Sequence, residues 1–321
     1  MNAFLLALLA VGPPMEPPTP TVALARSRAL LHRSGDTFRT KRTCFACHHQ
    51  TLQVLVEHSF VETKRPADRK RMQAHAEHVH AYFTERAEAI GAGKPLPGGA
   101  YSAAYGLWTF ALADHPADDT TTAIVAYLLH VQERDGSWFT TCNRPPLQGS
   151  RLAATVLSLA MLKRYGTAEQ AGAIARAEER ARAWWKKEKP ESLEDHAWHL
   201  WGLHTLGGDA KARQTARNAL LSLQRPDGGW APNRERGSDA FATAQALYML
   251  QLAGTPREHR ALERGVRWLL REQWADGSWR VETFAKPVQP PYDNGDPHGK
   301  HQFVSIAATA WATAALAKWS R

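Results

Sequence analysis

The stretches "QERDGSW" (132–138), "QRPDGGW" (224–230) and "QWADGSW" (273–279) share the pattern Q-x-x-D-G-[SG]-W. Their starts lie 92 and 49 residues apart, and 92 is twice 46. A period near 46 predicts degenerate copies near residue 180, at "ARAWWKKEK", and near residue 86, ahead of "LPGGAYSAAYGLW". Asp-Gly is a turn dipeptide, because glycine tolerates positive φ just past a helix end. The period accommodates two helices of about fourteen residues with their loops. Each repeat is therefore expected to be a helical hairpin closed by a turn.

Outward from these turns, the helical segments come in two kinds. "LAATVLSLAML" (152–162) and "AFATAQALYMLQL" (240–252) carry no charge, and "FVSIAATAWATAALAKW" (303–319) carries only Lys318. Between them, "TAEQAGAIARAEERARAWWKK" (167–187) and "PREHRALERGVRWLLRE" (256–272) hold eight charged residues each. Helices apolar all round are buried, whereas one-sided helices lie at a surface. The pattern predicts helices near 22–34, 47–60, 66–91, 101–114, 117–132, 150–165, 168–188, 194–206, 209–223, 238–253, 256–272 and 302–319. The expected fold is all-α: six hairpins closed into an α/α toroid, with an inner and an outer ring of six helices. A single domain over residues 22–321 follows. An open solenoid would leave an exposed face on every helix, which the uncharged segments argue against.

Composition agrees. The 321 residues are 44% hydrophobic and 22% charged, enough for a substantial core. The net charge is +9, spread over many helices, and no basic block interleaved with aromatics points to nucleic acid. The basic balance leaves room for an anionic ligand or peripheral contact with anionic lipid. Residues 4–11, "FLLALLAV", are too short to span a bilayer, and the Pro-rich "GPPMEPPTPT" follows. Residues 1–21 read as a signal peptide and leader, so the chain is expected to be exported, to the periplasm or beyond.

The Q-x-x-D-G-[SG]-W repeats resemble the QW motifs of squalene and other triterpene cyclases. The helix pattern is similar to the toroid those cyclases share with protein prenyltransferase β subunits. The resemblance implies a scaffold role for Gln132/Trp138, Gln224/Trp230 and Gln273/Trp279. It implies binding of an apolar, isoprenoid-like ligand. Class II cyclases protonate an alkene with the central Asp of a D-x-D-D motif. The nearest match considered is "PADDT" (116–120), where Pro116 replaces the first Asp, and Asp118 or Asp119 reads as a helix cap. The prenyltransferase zinc triad of Asp, Cys and a distant His is incomplete, because Phe241 stands two residues after Asp239; His298 and His301 are candidates for the distant ligand.

In a ring of hairpins the inner helices start at one end, where their dipoles add positive potential. The expected mouth holds Cys44, Cys47, His48 and His49; Tyr101; Ser150 and Arg151; Glu194, Asp195 and His196; Ser238 and Asp239; and His298 and His301. Asp195 and Asp239 are the catalytic candidates. Within "TCFACHHQ" (43–50), C-x-x-C-H is the signature of haem c, with Cys44 and Cys47 as thioether anchors and His48 as axial ligand. The open alternatives are zinc held by Cys44, Cys47, His48 or His49 and a rim residue such as His301, or a disulfide. Trp108, Trp198, Trp201 and Trp311 on inner helices are expected to line an aromatic ligand cavity. The rival functions are a redox protein using the toroid as scaffold and a zinc-dependent hydrolase or lyase.

Overall fold

The computed structural model describes residues 16–141, 144–286 and 290–320. Among the described residues thirteen α-helices follow in order: α1 (Pro20–Lys41), α2 (Gln50–Glu62), α3 (Arg69–Thr84), α4 (Ala87–Gly91), α5 (Gly99–Leu112), α6 (Asp119–His130), α7 (Arg151–Tyr165), α8 (Ala171–Trp185), α9 (Leu193–Thr205), α10 (Ala210–Ser222), α11 (Ala240–Leu252), α12 (Arg260–Glu272) and α13 (Gln302–Trp319). Among the described residues there is no strand beyond an isolated bridge between Arg144 and Leu147.

Helices α2, α5, α7, α9, α11 and α13 each pack on the next, and α13 packs on α2, so the inner ring closes. Their burial fits that position. α13 is buried on every side from Val304 through Ala317, and its many alanines let α11 and α2 approach closely. The outer helices bury one stripe each. In α12 it is Leu262, Gly265, Val266, Trp268 and Leu269, the spacing of a helix with a single apolar face.

Most expected helices are matched to within four residues at each end, and two segments differ by more. The segment expected over 66–91 divides at Glu85–Arg86 into α3 and the short α4. The first helix does not stop at Ser34 but continues to Lys41. Gly35 lies inside it because neighbours crowd the backbone there: a Cβ would meet Gln53 Oε1 at 2.3 Å and the His75 ring at 2.9 Å.

The three QW turns are built alike. Trp138, Trp230 and Trp279 are fully buried. Each indole N–H donates to a carbonyl ten residues earlier, Leu128, Leu220 or Leu269, at 2.7, 2.9 and 2.8 Å. Each Trp backbone N–H donates to a threonine of the following inner helix, Thr155, Thr243 or Thr309, at 3.0, 2.9 and 3.1 Å. The glutamine amide bridges outward. Gln132 donates to Gly136 O and to Ala177 O on α8, and Gln224 to Gly228 O and Ala261 O on α12. Gln273 donates to Gly277 O and to Ala23 O on α1, which joins the last repeat to the first helix and closes the outer ring. At the position near residue 180 only the tryptophan persists: Trp185 sends its indole N–H to His199 Nδ1 at 2.8 Å.

The turn glycine is required twice over. Gly136, Gly228 and Gly277 have φ of +97°, +96° and +93°. A Cβ on them would press against the backbone of Arg180, Arg264 and Arg26, at 2.4, 3.0 and 2.5 Å. Gly277→Ala should therefore destabilise the protein by about 2–3 kcal/mol, from backbone strain plus displacement of α1. Gly237, with open space at its Cβ position, is the control: Gly237→Ala should cost under about 0.5 kcal/mol in the same urea titration.

Candidate functional site

The inner-helix N-termini collect at one end, as expected, and several rim residues there are caps. Ser150 accepts from Ala153 N at 2.9 Å and Asp239 from Ala242 N at 2.8 Å. Ser192 and Asp195 form a capping box. Asp195 also takes the Ser150 hydroxyl, so its carboxylate is occupied by local bonds. Asp118 caps α6 in a capping box with Thr121, which accounts for "PADDT". Burial pushes the Asp239 carboxyl up to about 7, against hydrogen bonds from the Ala242 and Phe241 N–H groups. It borders a cavity of about 280 Å³ shared with Ser238, Trp268 and Trp279.

The residue that stands out is Glu194, the neighbour of the expected Asp195. It is 6% exposed and borders a cavity of about 200 Å³ with Pro145, Pro146, Phe241, Gln245 and Phe284. Glu194 Oε1 and Gln245 Oε1 are both buried without a hydrogen-bond partner. Burial first, and then the charge of Asp195, push the Glu194 carboxyl up to about 8; N–H groups of Gly149 and Ser150 and the Tyr101 hydroxyl oppose the rise. Glu194 is thus a neutral acid at pH 7. Tyr101 in turn donates to Tyr105 at 3.0 Å. A signal in the sequence was available: "SLED" (192–195) has D-x-D-D spacing with Glu194 in the central place and Ser192 in the first.

A second cavity, of about 440 Å³, lies across the segments that carry Arg144–Pro146 and Thr283–Lys286, which contribute walls to both. His48, Arg144, Lys286, Tyr292, Lys300 and Phe303 line it. Burial, followed by the charges of His49 and Arg144, drives His48 down to about 3, so it is a neutral imidazole.

The other members of the Cys44–His49 stretch point elsewhere. Cys47 is buried and its sulfur accepts from Gln148 Nε2 at 3.0 Å, near Tyr101 and Tyr105. Cys44 is exposed, its carbonyl meets His78 Nε2 at 3.2 Å, and no disulfide joins it to Cys47. His49 is fully buried, stacked on Phe38 at 4.4 Å, with Nε2 against Ser34 Oγ and Asp296 Oδ1 at 2.9 and 3.1 Å. Ser34 and Asp296 share that one nitrogen, so the set lacks the relay geometry of a Ser-His-Asp triad; it pins the segment before α13 to α1 and α2. His301 Nδ1 accepts from Thr283 N at 3.1 Å. Cys44, Cys47, His48, His49 and His301 therefore do not converge on one ion among the described residues. Cys142 and residues 1–15 lie outside the described residues.

The expected cavity tryptophans meet one another. Trp108 lies 5.6, 6.4 and 6.3 Å from Trp198, Trp201 and Trp311, and Trp198 lies 5.2 Å from Trp201. All four are buried, and none borders the three mouth cavities. They bring α5, α9 and α13 together through their rings. The indole N–H groups of Trp198 and Trp311 have no partner.

Residues 183–287 match the family model of the squalene-hopene cyclase N-terminal domain. Protostadienol synthase A of Arthroderma gypseum is 40% identical over 94 residues, which cover 25% of this chain and 13% of the synthase. The chain thus spans a small part of the curated relative it matches. A type II terpene cyclase from Scytonema, in complex with geranylgeranyl dihydroxybenzoate (substrate), superposes with a TM-score of 0.54 at 14% identity, covering 94% of this chain and 99% of that one. A glycosidase superposes with a TM-score of 0.61 at 13% identity, covering 94% and 98%. The ring closure, the repeated QW turns and these superpositions together show that the chain has the α/α toroid fold, with residues 183–287 similar to the squalene-hopene cyclase N-terminal domain.

Proposed function

We propose that the mouth binds an isoprenoid-like ligand and that Glu194 is its proton donor. The observation that carries this reading is the unpartnered, buried Oε1 of a protonated carboxyl, opening with Gln245 Oε1 into a cavity whose walls mix Pro145, Pro146, Phe241 and Phe284 with polar Glu191, Ser192 and Asn233. A buried polar atom without a partner costs about 1–3 kcal/mol, and a ligand that hydrogen bonds there recovers it. The basic cavity beside it, with Arg144, Lys286 and Lys300, suits an anionic or strongly polar head. The isoprenoid substrate of the Scytonema cyclase supports the choice of ligand class.

Acid strength narrows the acceptor. Raising a carboxyl from 4.5 to about 8 makes it a much weaker acid, by about 5 kcal/mol. Ser192, where the family motif has its first Asp, gives Glu194 no carboxyl partner to strengthen it. The acceptor that suits such an acid is an ether or epoxide oxygen on the chain rather than an isolated double bond. The Glu194 proton becomes the hydroxyl proton of that oxygen as the carbon–oxygen bond breaks and a double bond of the same isoprenoid chain attacks the freed carbon; the cation so formed is quenched by water, whose released proton restores the acid, and until then the carboxylate is met by the Gly149 and Ser150 N–H groups and Tyr101. Export remains part of the proposal, on the N-terminal apolar run. A mature protein recovered outside the cytoplasm and starting beyond residue 11 is its test, and a pyridine haemochrome spectrum of that protein checks the haem c expectation.

Incubation with isoprenoid epoxides of different lengths, read by mass spectrometry, tests the donor. Glu194→Gln should lower turnover by about 10²–10⁴-fold while ligand affinity changes less than about threefold. Unchanged turnover in that variant, or no binding of any isoprenoid, would overturn the reading.

Stability should carry the same signature. The folded-state value of Glu194 lies above the unfolded one, so the folded state holds the extra proton between pH 4.5 and about 8. Its contribution is present at low pH and lost as pH rises through that window, by on the order of 4 kcal/mol. Urea titrations at pH 5.5 and 8.5 should show wild-type stability falling, and the fall should shrink in Glu194→Gln.

A further inference from the structure

We propose that His80, His115 and Asp118 form a Zn²⁺ site at the end of the ring opposite the mouth. Three separate pieces of chain supply it: the last turn of α3, the turn after α5, and the N-cap of α6. Nε2 of His80 lies 2.7 Å from Asp118 Oδ2, and Nε2 of His115 lies 3.2 Å from the same oxygen. All three candidate ligand atoms fall within 4.8 Å of one another. Ligand atoms held about 2.0–2.1 Å from a tetrahedral zinc lie roughly 3.3 Å apart, so the two His–Asp pairs already sit near that spacing and a shift of side-chain rotamers brings the third pair to it.

The surroundings orient these groups. Asp118 uses Oδ1 for the Thr121 N–H at 2.8 Å, which leaves Oδ2 to face the two imidazoles. Thr84 Oγ1 sits 3.2 Å from His80 Nδ1 and 2.9 Å from Thr120 Oγ1. With Nδ1–H donating to Thr84, the Nε2 lone pair is aimed where the carboxylate points, and a cation satisfies all of them. A hydrogen-bonded outer nitrogen of this kind is what metal-ligating histidines use to fix ring and tautomer. Phe110 packs beside both rings, at 5.9 and 5.0 Å, and the Tyr165 hydroxyl holds the His115 carbonyl at 3.0 Å. The side chains are a quarter to a third exposed, which gives the ion an entry path and leaves a coordination position for water. Two imidazoles and one carboxylate favour zinc over magnesium or calcium, which prefer oxygen. Such an ion would clamp α3 to the α5–α6 hairpin.

The test uses full-length protein carrying Cys44→Ser, which removes the exposed thiol as a competing ligand, stripped with chelator. After titration with ZnCl₂ and gel filtration, elemental analysis should find one equivalent of zinc. CoCl₂ should give the visible bands of tetrahedral cobalt. The thermal midpoint should rise by about 5 °C at a hundredfold excess over Kd. Asp118→Asn keeps the helix cap and removes the charged ligand, so it should fold normally and lose the equivalent of metal. The His80→Ala/His115→Ala double variant should lose it too. No stoichiometric uptake by the stripped protein, or full retention of zinc by Asp118→Asn, would overturn the proposal, and Asp118→Asn decides alone if the double variant misfolds.

Discussion

The fold depends on how a turn at the end of an outer helix grips three neighbours at once. Its tryptophan spans inward, with the indole N–H on its own outer helix and the backbone N–H on the following inner helix. Its glutamine spans sideways to the next outer helix. Radial and circumferential ties thus come from one seven-residue stretch. The third copy carries the decisive contact, since Gln273 reaches Ala23 and joins residues 250 positions apart. Hydrogen bonds made by buried tryptophans and half-buried glutamines are costly to leave unmade, so they select the closed ring over a slipped one.

Closure has a consequence for chemistry. Inner helices buried all round leave their polar side chains only two outlets, at their two ends. At the mouth, carboxylates and hydroxyls cap the helix starts, and most are consumed by that role. Ser150, Ser192 and Asp195 hold one another and the backbone. Glu194, one residue from Asp195, is turned inward and retains an unpartnered oxygen. Adjacent carboxylates on one helical turn thereby acquire different work. One is a cap held by local hydrogen bonds, and the other is a buried carboxyl that burial, and then its neighbour, push upward.

The aromatic content is distributed by the same geometry. Side chains of α5, α9 and α13 converge, and four indoles meet there. Trp108, Trp198, Trp201 and Trp311 close on each other edge to face, an arrangement that rings adopt readily at these separations. The open volume is displaced toward the mouth, where prolines and loop segments at 144–146 and 283–286 shape it.

The twelve long helices and their alternation were legible because period and charge pattern are local properties. So was the scaffold role of the QW residues. The bend at Glu85–Arg86 and the continuation of α1 through Gly35 were not. Gly35 reads as a stop in a single chain, and only the crowding by Gln53 and His75 explains a glycine within the helix. Within "TCFACHHQ" the residue types suggested one convergent site, yet the backbone turns Cys44 outward, Cys47 toward Gln148 and His49 toward Asp296. Spacing along a chain does not specify direction in space when the segment is a turn rather than a regular helix. By itself the sequence determined an all-helical ring, because repeat length and amphipathicity need only near neighbours. Only tertiary structure decided which carboxyl is buried and unpartnered, and which histidines meet an aspartate. Both are settled by distant segments that exclude water and bring charges together.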